Sequence, residues 1–141
     1  HGDELNGTEI IRRLLKRSTL KRLRGTLLLV PIVNVYGLLQ HSRYLPDRRD
    51  LNRSFPGTPN GSMESRIADK LMTELVDKSD YAIDLHTAAS QRTNYPNVRA
   101  DLSNPETKRL AVAFGCALVL DGKGSTNSFI CSFSPFAWQN L

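Results

Sequence analysis

The longest uninterrupted apolar run in the chain is Thr26-Leu27-Leu28-Leu29-Val30-Pro31-Ile32-Val33. A membrane-spanning helix needs about 18 or more apolar residues, so this run does not predict a span. Without alternation, it suits a strand buried on both faces of an α/β sheet, although Pro31 removes one ladder donor and favours an edge or bulge. The flanking segments carry helical spacing. Ile10, Ile11, Leu14 and Leu15 predict a helix from Asn6 to about Leu23, stopped by Gly25. Met63, Ile67, Leu71, Met72 and Leu75 predict another from Ser62 to Lys78, capped by Ser62 or Asn60. Tyr81 to Leu85 reads as a short strand ending at His86. Asn104-Pro105-Glu106 opens a helix to about Phe114, and Ala117 to Leu120 is a further strand. This alternation predicts a layered α/β domain with a largely parallel sheet.

Between Gly37 and Gly61 the chain is polar, free of periodicity and punctuated by Pro46, Pro56, Gly57 and Pro59. Loops this long inside a compact domain tend to be functional. After Asp121 the pattern degrades into a Gly/Ser/Phe-rich tail, residues 122–141, that is left unassigned. With 141 residues, 40% of them hydrophobic and 23% charged, one domain with one core is expected.

The net charge of +5 comes largely from Arg12, Arg13, Lys16, Arg17, Lys21, Arg22 and Arg24. No aromatic residues are interleaved with them as stacking platforms, so a solvated helix face is expected and a nucleic-acid partner is not. Cys116 and Cys131 make no disulfide framework and have no histidine or basic neighbour in sequence, which suits small buried thiols in a reducing cytoplasm. No signal peptide pattern is present.

His1 and Glu4 stand three residues apart, so in a turn their side chains converge on one face. His86 falls at the end of a strand, where ligands gather in open α/β sheets. Two histidines and a carboxylate are a ligand set for a catalytic zinc, which keeps its fourth position for water.

The flanking residues carry a resemblance. His1-Gly2-Asp3-Glu4-Leu5-Asn6-Gly7 resembles the HGxExxG signature of the succinylglutamate desuccinylase and aspartoacylase family, a branch of the zinc carboxypeptidase superfamily. Asp50-Leu51-Asn52-Arg53-Ser54-Phe55-Pro56-Gly57 is similar to its DLNRxFPG segment, and Asp84-Leu85-His86 to its third-ligand DLH. The three occur in the expected order over roughly His1 to Asp121. The resemblance implies a three-layer αβα fold with a mixed, largely parallel sheet of the zinc carboxypeptidase type, incomplete here: residues 1–121 would be a partial catalytic domain.

It implies further that His1, Glu4 and His86 hold Zn2+, and that Asn52 and Arg53 grip a substrate carboxylate, a role suited to arginine's planar fork. A further arginine would face the substrate, Arg43 first and Arg49 as the alternative. Asp84 would orient the zinc-bound histidine from behind, and His41 would be a surface residue. The implied activity is zinc-dependent hydrolysis of the amide bond of a small N-acyl amino acid. The basic loop Arg43 to Arg53 favours an acidic one. Cleavage of peptide C-termini and an inactive metal-binding fragment are the alternatives.

The family's general-base glutamate lies beyond DLH in a YEAG-type strand, and no such segment occurs. Glu106, the one glutamate after His86, sits in a helix cap and is not nominated. The strand leading into HGxE is also missing, so the chain is expected to be a piece of a longer enzyme, inactive by itself.

Overall fold

Helix α1 spans Asn6–Leu14 and buries Gly7 and Ile11. The computed structural model describes residues 1–88, residues 92–122, and the backbone of 128–133. It divides into two compact units, His1–Lys78 and Ser79–Leu141. On the solvent side of α1, Glu9 accepts from Arg12 Nε at 2.5 Å and Arg13 Nε at 2.7 Å. Arg12 and then Arg13 hold the Glu9 carboxyl down at about 2. Two charges of the basic cluster are therefore paired on their own helix, as expected of a solvated face.

The helix ends well before Leu23. Ser18–Arg22 forms a separate 3-10 turn after an extended Arg17. All four apolar residues of the periodic pattern lie at or before Leu15, and Leu20 and Leu23 beyond them fall off the stripe those four define, so a continuing helix would have no continuous apolar face to bury.

The apolar run 26–33 forms no strand. Leu27, Leu28, Val30, Ile32 and Val33 are exposed, and within its unit the run pairs with no strand among the described residues. Its tie to α1 is Thr8 Oγ1, which donates to the Pro31 carbonyl at 2.7 Å. Apolarity marks a segment that gains from burial, whereas a strand also needs a partner edge for its backbone groups.

Helix α2, Val35–Gln40, interrupts the stretch predicted to be loop. Asn34 caps it, Oδ1 accepting from Gly37 N at 2.8 Å, and is itself only 4% exposed. Helix α3 spans Met63–Glu74 and is followed by a 3-10 turn at Val76–Lys78. A small core forms where Leu45 and Leu51 of the intervening loop meet Ala68 of α3, flanked by Ile67 and Leu71. Gly57, at φ +85°, lies so close to α3 that a Cβ there would come within 2.2 Å of the Ser65 carbonyl oxygen.

The second unit is a four-stranded mixed sheet in the order β1-β4-β2-β3, with β1 Ala82–Thr87, β2 Asn97–Ala100, β3 Leu118–Asp121 and β4 Ser128–Phe133. β1 runs parallel to β4, β2 parallel to β3, and β2 antiparallel to β4. Helix α4, Pro105–Ala113, supplies Ala111 to a core with Val98 and Ala100. β2 and β4 are the strands that the sequence pattern did not flag, and β4 lies in the unassigned tail. The α/β class with a largely parallel sheet holds. No helix among the described residues is long and apolar enough to cross a membrane.

The expected cap of α4 is present: Asn104 Oδ1 accepts from Glu106 N at 2.9 Å and Thr107 N at 3.2 Å, with Pro105 at the helix start. Asn104→Ala is therefore expected to lower unfolding free energy by about 1 kcal/mol, read from the urea midpoint at constant slope.

Candidate metal centre

The turn His1-Gly2-Asp3-Glu4 closes through a Glu4 N to His1 O hydrogen bond of 3.2 Å just ahead of α1. It sets His1 Nδ1 at 2.5 Å from Glu4 Oε1, with the two side chains only 4% and 3% exposed. Two acceptor atoms this close and this buried call for a proton or a cation beside them. Arg43 Nη1 approaches the same pair, 3.4 Å from His1 Nδ1 and 3.6 Å from Glu4 Oε1.

Asp50 ties this pair to the polar loop. Its Oδ1 lies 3.2 Å from His1 Nε2 and accepts from Asn52 N at 3.0 Å, capping the 3-10 turn Leu51–Arg53. Its Oδ2 accepts from Arg43 Nε at 3.1 Å and Nη2 at 2.9 Å. With Nε2 turned to a carboxylate, Nδ1 is the His1 nitrogen suited to an ion, the usual arrangement for a metal-binding imidazole. Asp50 is the residue that sequence reasoning passed over. Its signal was in plain view, an aspartate opening the Asp50-Leu51-Asn52-Arg53 run.

The other expected site residues are placed as follows. Asn52 is exposed, and the Arg53 side chain is 84% exposed, its Nε 3.8 Å from Asp50 Oδ2. Arg43, not its alternative Arg49, sits at the His1–Glu4 pair; Arg49 Nη1 instead donates to Glu64 Oε1 at 2.8 Å. In the second unit, Asp84 and His86 lie on one face of β1, two residues apart, with Asp84 Oδ2 at 2.7 Å from His86 Nε2. His41 is exposed in the left-handed region at the end of α2. Cys116 is partly buried, and burial pushes its thiol up, away from the thiolate form; the side chain of Cys131 lies outside the described residues. Glu106 is bonded to Arg109 Nη2 at 2.7 Å and Tyr81 Oη at 2.9 Å; Arg109 and then Tyr81 lower its carboxyl, the reverse of what a general base requires.

The catalytic-domain model of the succinylglutamate desuccinylase/aspartoacylase family matches residues 1–134. A curated relative, the N-alpha-acetyl-L-2,4-diaminobutyric acid deacetylase of Halomonas elongata, is 39% identical over 88 residues, 62% of this chain and 26% of that protein. Among solved structures, the succinylglutamate desuccinylase/aspartoacylase from Rhodobacter sphaeroides superposes with a TM-score of 0.82 at 28% identity, covering 95% of this chain and 45% of that one. The product-bound ectoine utilization protein EutE (DoeB) from Ruegeria pomeroyi gives 0.81 at 25% identity, covering 95% and 47%. The chain thus spans about a quarter of the deacetylase and less than half of either solved relative.

Proposed function

The chain belongs to the succinylglutamate desuccinylase/aspartoacylase family, and from that premise we propose that the whole protein is a zinc-dependent deacylase of small N-acyl amino acids, with His1, Glu4 and His86 as the metal ligands. The observation that carries the reading is the buried His1–Glu4 pair, with Asp50 behind the imidazole and Arg43 beside the carboxylate. Each of the three residues offers one ligand atom, and the set of two imidazoles and a carboxylate suits a zinc ion with one position left open. Bound there, the ion would act as a Lewis acid and bring a water's pKa near neutrality.

The protein's own residues bind and orient. Arg53 and Asn52 take the substrate's free carboxylate, the guanidinium through paired N–H donors. Arg43, held by two N–H bonds to Asp50, is positioned to polarise the scissile carbonyl. Of the loop arginines, Arg43 and Arg49 are already engaged by acids of the protein. Arg53, in the Asp50-Leu51-Asn52-Arg53 run, is 84% exposed and comes no nearer than 3.8 Å to Asp50, so its donors are available as the main receptor; this argues for one required carboxylate, an acidic side chain being an optional second. One relative is named an N-alpha-acetyl-L-2,4-diaminobutyric acid deacetylase, and an N-acetyl-diaminobutyrate is a substrate that a single-carboxylate clamp accommodates.

The test is an assay of the zinc-loaded whole protein against N-acetyl-diaminobutyrate, N-acetyl-aspartate, N-succinyl-glutamate and short unblocked peptides. Release of amine from any N-acyl amino acid supports the reading, and cleavage of peptides alone would overturn it. Asp50→Asn keeps an acceptor for Asn52 N but weakens the hold on His1 Nε2. Zinc affinity is expected to fall about 10- to 100-fold by chelator competition, at unchanged circular dichroism.

A further inference from the structure

The loop that carries Arg43, Asp50, Asn52 and Arg53 is fastened to α3 by more than apolar contact. Leu45 and Leu51 are pegs, 2% and 6% exposed against Ala68. Two pegs fix how close the loop lies but not how it is rotated. Between them, Arg49 Nη1 donates to Glu64 Oε1 at 2.8 Å, and Ser62 Oγ donates to the same oxygen. The Glu64 side chain is only 4% exposed, although that of Arg49 is 60% exposed. Glu64 sits in the first turn of α3, where the helix dipole favours a negative charge. Burial pushes its carboxyl up, but the hydrogen bonds donated by Ser62, Arg49 and its own backbone N–H lower it, so the clasp is an ion pair.

Asp50 follows Arg49 directly and is extended, at φ −91° and ψ 110°. In extended backbone successive side chains point to opposite sides. A pull on Arg49 toward Glu64 thus turns the Asp50 carboxylate the other way, toward His1 and Arg43. The backbone bond from Leu45 N to Arg49 O, 3.1 Å, makes the same segment one tight turn, so the rotation is shared from Leu45 onward.

We propose that Arg49 and Glu64 are positioning residues, a clasp that sets the rotation of the substrate loop so that Arg43, Asp50 and Arg53 face the centre. The inference rests on the deacylase reading for its kinetic consequences. It gives Arg49 a task other than binding substrate directly.

The experiment uses the zinc-loaded whole protein with Glu64→Gln, Arg49→Met, the double variant and Arg49→Lys. Glu64→Gln and Arg49→Met are each expected to lower kcat/KM about 10- to 100-fold, chiefly through KM, the scale of a small misplacement of binding groups. Zinc stoichiometry should be unchanged. The double variant should be no worse than the poorer single variant, because both remove one interaction, and Arg49→Lys should recover part of the loss. A normal KM in Glu64→Gln beside a raised KM in Arg49→Met would assign Arg49 to direct binding and overturn the clasp, as would additive losses. Should the wild type hydrolyse no N-acyl amino acid, hydrogen exchange still decides. Amides 43–53 are expected to exchange faster in both Glu64→Gln and the exposed-site variant Arg49→Met while those of α1 do not, and unchanged exchange of 43–53 overturns the proposal.

Discussion

A His86→Ala variant of the whole protein is expected to bind zinc roughly 10²–10³-fold more weakly than wild type while keeping its fold. Structural zinc sites with four ligands yield about 10–16 kcal/mol, so one ligand is worth about 2.5–4 kcal/mol, and each 1.4 kcal/mol is tenfold. The fold should survive because His86 joins the sheet through its backbone, in register with Ser132 of β4. The core of that unit is built by Val98, Ala100 and Ala111 instead. Asp84→Asn makes a graded companion. Its carboxylate faces His86 Nε2 at 2.7 Å, and loss of that orienting charge should cost about 10- to 100-fold in affinity. Isothermal titration with a competing chelator reads both. Wild-type affinity in His86→Ala would remove this residue from the metal centre, whatever the fate of the His1–Glu4 pair.

The parts of this arrangement that were legible in the sequence are those whose physics is local. The three-residue spacing of His1 and Glu4 already implied convergence, and the Asn104-Pro105 cap needed no tertiary partner to be recognised. The sequence put Arg43 ahead of Arg49 without deciding between them, because both flank the same turn and their choice depends on which acid waits on each side. Glu64 takes Arg49 from α3, and Asp50 takes Arg43.

The same distinction explains the failures. Residues 26–33 have the apolarity of a buried strand, but pairing is a property of two segments, and in its unit the run finds no edge. Helix α2 is too short to show a period and announces itself only through the Asn34 cap. β4, Ser128-Phe129-Ile130-Cys131-Ser132-Phe133, shows no alternation inside a Gly/Ser/Phe-rich tail, and becomes a strand because β1 and β2 offer it an edge on each side.

Gly2→Ala should be among the most disruptive single-methyl changes available in the first unit. A Cβ on Gly2 would stand 1.9 Å from the Gly37 carbonyl carbon, 2.2 Å from Leu38 N and 2.4 Å from Gly37 Cα. All three are backbone atoms of α2, so no flexible side chain can swing away. A Cβ on Gly37 would itself meet Asn34 Nδ2 at 2.4 Å and the Ser42 carbonyl oxygen at 2.6 Å, so α2 is closed tightly on its own cap and exit. Backbone must shift on one side of the contact, and a shift of the turn carries His1 away from Asp50 and Glu4 away from Arg43. Overpacking of a rigid contact costs on the order of 3 kcal/mol, expected as a lowered urea midpoint. Displacement of a ligand by about an ångström should cost about 10²-fold, here in zinc affinity. The two readouts separate packing from chemistry: a variant destabilised but with wild-type zinc affinity would mean that the turn re-forms its His1–Glu4 geometry without the support of α2, and that the Gly2–Gly37 contact serves stability alone.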